Sequence, residues 1–261
     1  MKKYMLDLRV TENVRPHAQY CLLKLTSDEQ LPDMLPGQFV EVRVDHSSST
    51  FLRRPISINF VDREKNELWL LIQLVGDGTR QLAESRVGEL INVVLPLGNG
   101  FTLPTEEIPA KRLLLVGGGV GTAPMLYLGA CLKAKGYEPI FLLGARSAGD
   151  LQQLSDFQRI GEVYATTEDG SYGEKGYVTN HSILNQLDFD QIYTCGPKPM
   201  MMAVAKFAHA RQIACEVSLE NRMACGLGAC LCCVEKDKTG HNVCVCKEGP
   251  VFNIEQLSWL S

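Results

Sequence analysis

Along residues 1–103, apolar and polar positions alternate in short runs. MLDLRV, YCLLKL, QFVEVRV, ISINFV, LWLLIQL and LINVVLP each carry the period of two, or the unbroken apolar stretch, of a pleated strand, and turn-forming residues separate them. This spacing predicts antiparallel strands curled into a small barrel, with one short helix over 80–84. The period changes near Pro104. RLLLVGGG, EPIFLLGA, EVYATT, QIYTCGP and ACEVSLE read as five strands, and the stretches between them, such as APMLYLGACLKAKG and PMMAVAKFAHARQ, are patterned as helices. Strand–helix alternation implies a parallel sheet with helices on both faces. Residues 219–261 hold no long periodic segment, and a stretch of about 40 residues without its own core needs a metal or cross-links to keep a shape. The expected organisation is therefore a β-barrel at 1–103, an α/β unit at 104–218 and a small module at 219–261. No low-complexity linker separates them, so they should pack tightly.

Composition narrows the function classes. The 261 residues are 45% hydrophobic and 21% charged, as in a globular protein with a sizeable core. A net charge of −4, with no cluster of lysine and arginine interleaved with aromatics, argues against a nucleic-acid surface. No apolar run reaches the roughly 18–20 residues that span a bilayer. The start, MKKYMLDLRV, alternates at once and reads as a strand, not a signal peptide. Ten cysteines without a secretion signal point to a reducing, cytoplasmic compartment and away from disulfides.

Six of those ten cysteines fall within 22 residues. Cys225-x4-Cys230-x2-Cys233, followed after twelve residues by Cys246, has plant-type 2Fe–2S spacing. A loop that curls round a small rigid cluster delivers three thiolates from one side, and Gly226 and Gly228 permit the tight backbone this needs. The competing reading is a zinc ribbon through Cys230, Cys233, Cys244 and Cys246, which leaves Cys225 and both glycines without a role. Cys232 and Cys244 are the surplus pair, read as small buried hydrophobes facing away from the site.

Two loops of the α/β unit and one strand of the barrel carry further chemistry. RLLLVGGGVGTAPM passes from a strand through Gly117, Gly118, Gly119 and Gly121 into a helix, with Thr122 or Pro124 where GxGxxG would have its third glycine. Such a turn lets phosphates reach the amides of the helix N-terminus, although a tight turn without a ligand explains three glycines almost as well. Cys195 and Gly196, in YTCGP, end the fourth strand on the same side of the sheet, where open parallel sheets bind ligands. Cys195 is read as lying against a flat cofactor ring, its alternative being a core thiol. In FLRRPIS, Arg53 and Arg54 precede the extended Pro55, and one arginine there can grip a pyrophosphate while Ser57 meets the ring system of the same ligand.

Barrel with RRPIS, sheet with GGGVG and CGP, and a tail with C-x4-C-x2-C…C: in this order the chain resembles the ferredoxin–NADP reductase superfamily. Within it, the chain resembles the electron-transfer subunits of NAD-dependent (class 1B) dihydroorotate dehydrogenases. The resemblance spans essentially the full length and is carried by PGQFVEV, RRPISI, PLGNGF, GGGVGTAPM, EDGSYGEKGYV, YTCGPKPM, SLENRMACGLGACLCCV and VCKEGPVF. It implies that Arg54, Pro55, Ile56 and Ser57 form the FAD motif, with Arg54 on the pyrophosphate and Ser57 near flavin N5. Many superfamily members carry an aromatic where Ile56 stands. Leu71, Ile72 and Gln73 match the next FAD-contacting strand, and Gly78 and Thr79 open the helix under the pyrophosphate. Cys225, Cys230, Cys233 and Cys246 match the cluster ligands, Cys195 and Gly196 the nicotinamide side, and Glu220 a position near the flavin.

The resemblance also implies a division of labour. A partner subunit with its own FMN oxidises dihydroorotate to orotate, the 2Fe–2S cluster carries electrons singly, and FAD collects two and reduces NAD⁺, in a heterotetramer of two of each chain. Glu168 and Asp169, in TTEDGSYG, favour NAD over NADP, while Arg146 pulls the other way. Two alternatives stay open: another flavin and iron–sulfur NAD(P)H oxidoreductase (a ferredoxin:NADP transhydrogenase, sulfide dehydrogenase or hydrogenase diaphorase subunit), or a zinc-stapled binding module.

Overall fold

The structure, a computed structural model, describes residues 2–105 and 112–260. Its first sheet contains β1 (Tyr4–His17), β2 (Tyr20–Thr26), β3 (Phe39–Val42), β4 (Arg54–Ser57), β5 (Phe60–Asp62), β6 (Glu67–Gln73) and β7 (Leu90–Leu97), with α1 (Asp77–Leu82) between β6 and β7. The strand order is β4-β3-β7-β1-β2-β6-β5, antiparallel throughout. The two edge strands are consecutive in the chain, joined only by Ile58 and Asn59, so the sheet curls until its edges meet. The Ile58 amide donates to the Gln38 carbonyl and the Asn59 amide to the Trp69 carbonyl, each at 3.0 Å. The single expected strand ISINFV is therefore two strands with a corner, and that corner closes the barrel. Inside, alternate residues such as Leu8, Leu23, Leu25, Leu68, Leu70, Val93 and Leu95 are fully buried.

Helix α1 starts earlier than the expected 80–84. The Thr79 hydroxyl accepts from the Gly76 amide (3.1 Å) and donates to the Gly76 carbonyl (2.9 Å), which fixes the N-terminus at Asp77.

The second unit runs β8 (Leu113–Gly118), α2 (Ala123–Ala134), β9 (Ile140–Ala145), α3 (Leu154–Ile160), β10 (Glu162–Thr167), β11 (Glu174–Lys175), α4 (Ile183–Gln186), β12 (Gln191–Cys195), α5 (Lys198–Ala210) and β13 (Ala214–Ser218). The C-terminal stretch adds β14 (Val234–Lys236), β15 (Asn242–Cys244), α6 (Val245–Glu248) and β16 (Val251–Asn253). The sheet order is β11-β10-β9-β8-β12-β13-β16. The five expected strands are parallel, and the short β11 extends them. Both faces of β8 are covered: Leu114 and Val116 join a core with Val204, Ala205 and Ala208 of α5, while Leu113 and Leu115 join one with Met125, Leu128 and Leu132 of α2.

The C-terminal stretch is not a free-standing module. Strand β16 pairs antiparallel with β13 and completes the sheet. The Asn99 amide donates to the Gly249 carbonyl (2.6 Å), and the Asn99 side-chain amide to the Glu248 carbonyl (2.8 Å). A Cβ on Gly98 would lie 2.4 Å from Pro250 Cδ, so PLGNGF is the seat on which the tail docks. The two larger units are also latched. The Asn59 and Gln153 side-chain amides exchange reciprocal hydrogen bonds (2.9 and 3.0 Å), and Asn59 Nδ2 also donates to the Ala123 carbonyl (3.0 Å). Among the described residues no helix is long and apolar enough to cross a membrane.

Candidate cofactor and electron-transfer site

The cysteine loop follows β13 and wraps back beneath β7. Its backbone turns left-handed at Gly226 (φ +64) and Gly228 (φ +81), which aims successive amides inward. Leu227 N donates to Cys225 Sγ (3.3 Å), Gly228 N to Cys246 Sγ (3.1 Å) and Cys246 N to Cys233 Sγ (3.3 Å). Burial would raise the Cys225 thiol, but the amides of Leu227, Cys230 and Ala229 outweigh it and bring the group down to about 6, so it is held as a thiolate near neutrality. Among the described residues no three His, Cys, Asp or Glu side chains converge as one ion-binding group. The thiols come instead as two neighbouring pairs, Cys225 near Cys230 and Cys233 near Cys246, the second joined by the Cys246 amide donating to Cys233 Sγ. Two thiolates for each of two irons is the donor set of an all-cysteine 2Fe–2S cluster, so the residues fit that group. Of the surplus pair, Cys244 is buried as expected, but Cys232 is exposed. The reading of Cys232 as a buried hydrophobe is corrected: Leu231 beside it adopts φ +58 and lifts the loop tip into solvent.

The barrel's arginine pair divides its duties. Arg53 staples strands together, donating to the carbonyls of Glu41 (3.3 Å) and Asn92 (3.1 Å) and to Asn92 Oδ1. Among the described residues Arg54 makes one bond, from Nη2 to the Leu52 carbonyl (2.9 Å), and its buried Nε has no partner. A Cβ on Gly78 would sit 2.9 Å from that nitrogen, so the absence of a side chain at the start of α1 keeps the space in front of it clear. An unpartnered guanidinium nitrogen facing a helix N-terminus fits an anionic pyrophosphate. Pro55, Ile56 and Ser57 line the same strand, all half-buried. On β6, Leu71 and Ile72 are buried, whereas Gln73 is half-buried and lines a cavity of about 640 Å³ with Arg15, Arg80 and Arg146. Thr79 likewise spends its hydroxyl on the turn and has its amide left to offer.

Register brings the two loops of the sheet together: Cys195 on β12 lies opposite Gly117 on β8. The glycines have distinct reasons. A Cβ on Gly121 would lie 2.4 Å from Gly196 Cα, so Gly121 permits the two turns to touch, while Gly117 and Gly118 clear Thr122 and Met200. Gly119 has φ +56 and open space where its side chain would be, so it alone presents bare backbone to a ligand. Thr122 Oγ1 is bonded to the Gly119 carbonyl (3.0 Å). Cys195 is fully buried, and its thiol donates to Glu220 Oε1 at 3.9 Å. Burial first, and the Glu220 charge next, hold that thiol well above its ordinary range, so it stays protonated. Gly121→Ala should cost about 1–3 kcal/mol of stability in denaturant titration, because backbone is what the new methyl meets.

Sequence reasoning missed one buried group. Glu41 in β3 is 1% exposed and neither carboxyl oxygen has a hydrogen-bond partner. Burial raises its pKa to about 7, against the pull of Arg53 and Arg54. All four residues of FVEV are buried, and the cysteine loop covers the face that carries Glu41.

A flavin motif on a closed barrel, a dinucleotide-binding sheet and a four-cysteine loop together define a flavin and iron–sulfur reductase of the ferredoxin reductase class. Its oxidoreductase NAD-binding domain matches over residues 115–206, and the iron–sulfur cluster binding domain of dihydroorotate dehydrogenase B matches over 220–258. The chain is 43% identical over 228 residues to the dihydroorotate dehydrogenase B (NAD(+)) electron transfer subunit of Shouchella clausii, covering 85% of this chain and 86% of that one. It is 42% identical over 227 residues to the corresponding protein of Bacillus cereus (strain Q1), with the same shares covered. Among solved structures it is similar to an NADH-dependent reduced ferredoxin-NADP oxidoreductase, at TM-score 0.84 and 28% identity over 97% of this chain and 90% of that one. An Amycolatopsis cytochrome P450 reductase shares the fold at TM-score 0.68 and 24% identity over 81% of this chain and 67% of that one. The chain belongs to the family of dihydroorotate dehydrogenase B (NAD(+)) electron transfer subunits. It is an oxidoreductase subunit whose cofactors are FAD, a 2Fe–2S cluster and NAD.

Proposed function

We propose that the chain carries electrons taken from dihydroorotate on an FMN-containing catalytic subunit to NAD⁺, in a cytoplasmic heterotetramer of two copies of each chain. When bound, the 2Fe–2S cluster supplies one-electron relay and FAD the conversion between single electrons and the pair that NAD⁺ takes up. The residues of this chain bind, orient and shield. Cys225 and Cys230 would hold one iron and Cys233 and Cys246 the other, with the amides of Leu227, Gly228 and Cys246 donating to their sulfurs. Arg54 would grip the FAD pyrophosphate, with the amides of Gly78 and Thr79 beside it, while Pro55, Ile56 and Ser57 and the strand with Leu71, Ile72 and Gln73 frame the ring. Gly119 opens the backbone of the Gly117–Thr122 turn to the NAD phosphates. Glu220 is exposed, and through it the protonated Cys195 is tied to the nicotinamide side beside Gly196.

The catalytic partner would meet the exposed rim of the cysteine loop. Leu227 and Leu231 are 47% and 63% exposed there, beside the exposed Cys230 and Cys232. Apolar side chains on the rim of a charge-carrying loop suit a protein partner, because they would be covered in the complex. For the dinucleotide, the Asp169 amide donates to the Arg146 carbonyl (3.2 Å), so the acidic loop after β10 lies directly on the arginine loop after β9. Two carboxylates beside the adenosine end would repel a 2′-phosphate, which supports NAD over NADP.

The single observation that carries this reading is the cysteine loop whose backbone amides donate to the sulfurs of Cys225, Cys233 and Cys246. Purification in air tests it. A yellow-brown protein with flavin absorbance and about two irons per chain is expected; a colourless protein carrying one zinc would replace this reading with the zinc-stapled one.

A further inference from the structure

No role assigned above uses Glu41, although it lies between the two redox motifs. In β3 it pairs with Pro55 of β4, the strand that carries Arg54, and with Val94 of β7. Its side chain packs against the cysteine loop: a Cβ on Gly226 would lie 2.7 Å from Glu41 Cγ and 3.1 Å from Oε1. The chain thus places a left-handed glycine, next to Cys225, directly over the carboxyl. A buried carboxyl with no hydrogen-bond partner is destabilising, and an apolar side chain of similar size would fill this space at no such cost. Three charged or ionisable groups act on it: Arg53 and Arg54 on the barrel side and Cys225 on the loop side.

We propose that Glu41 is a positioning residue for the cysteine loop, and that its carboxylate lowers the reduction potential of the cluster from the barrel side. An electron added to the cluster increases its negative charge, and a fixed negative charge across a narrow, low-dielectric gap opposes that addition. A lower potential in turn favours release of the electron towards the flavin. The inference rests on the assignment of Cys225, Cys230, Cys233 and Cys246 as the cluster ligands.

The test is a potentiometric titration of the cofactor-loaded protein and its Glu41→Gln variant, followed by electron paramagnetic resonance and visible absorbance. It is run at about pH 9, well above the ordinary carboxyl range. Glutamine keeps the shape and removes the charge. The expected result is full iron, sulfide and flavin content, a cluster midpoint shifted to more positive potential, and an FAD midpoint shifted less. Should Glu41→Gln fail to hold the cluster, Glu41→Asp keeps the charge and withdraws it by one methylene. A positive shift there supports the proposal, and a midpoint equal to the parent's overturns it. Parent and Glu41→Gln with full clusters and equal midpoints overturn the proposal alone. A parent without iron and sulfide overturns the ligand assignment and the proposal with it.

Discussion

Cys225→Ser is expected to abolish cluster binding, and Cys232→Ser to leave it intact. The Leu227 amide donates to the Cys225 sulfur (3.3 Å), and the backbone amides around it bring its pKa down to about 6. An alkoxide cannot replace it there, since a serine hydroxyl stays protonated at neutral pH and bonds iron poorly. Cys232, by contrast, is exposed on the loop tip with no described bond to its sulfur. Loss of a supporting partner of a metal ligand already costs about 10- to 100-fold in affinity or activity, so loss of a ligand should exceed that range. Iron content, visible absorbance and electron transfer from the catalytic subunit should all collapse in Cys225→Ser. In Cys232→Ser all three should match the parent. Equal loss in both would show that the ligands are drawn from a different set of four.

Arg54→Ala should weaken FAD binding by about 30- to 150-fold, corresponding to about 2–3 kcal/mol for a charged hydrogen-bonding group. The reason is the unpartnered Nε, which the fold buries and points at the space cleared by Gly78. Arg53→Ala is the control that separates a binding role from a structural one. That side chain is spent on three oxygens of the barrel, so its loss should lower stability by about 1–3 kcal/mol and change FAD affinity less. Fluorimetric titration of the flavin-free protein reads the first effect and denaturant unfolding the second. An Arg54→Ala protein with the parent's affinity for FAD would remove Arg54 from the site.

The barrel and the parallel sheet were legible because their signals are local. Period-two runs mark the barrel strands, and strand–helix alternation marks the sheet. The cysteine spacing and RRPIS were legible because short motifs keep chemically active residues at fixed distances along the chain. What escaped depended on contacts between distant segments. ISINFV looks continuous, and only closure of the barrel shows that Ile58 and Asn59 form a corner. VFNIEQ looks like part of a separate tail, and only its pairing with β13 makes it a sheet strand. Glu41 carries no motif, and only the cysteine loop laid over it at Gly226 shows that it is buried. Cys232, next to a ligand position, reads as a buried hydrophobe facing away from the site, whereas the left-handed Leu231 turns it to solvent. The two arginines of RRPIS are identical in sequence terms, and it is the neighbours, Asn92 for Arg53 and Gly78 for Arg54, that distinguish staple from ligand.

The fold by itself does not choose among flavin and iron–sulfur reductases, since a ferredoxin-NADP oxidoreductase shares it at TM-score 0.84. The dihydroorotate dehydrogenase B relatives share more of the sequence, 43% against 28%. The decisive measurement is therefore NADH formation after dihydroorotate is added to the chain reconstituted with its catalytic subunit. The account predicts NAD⁺ reduction that requires both chains and is lost with Cys225→Ser. A complex that oxidises dihydroorotate with an artificial dye, and contains FAD and the cluster, yet reduces no NAD⁺, would contradict it.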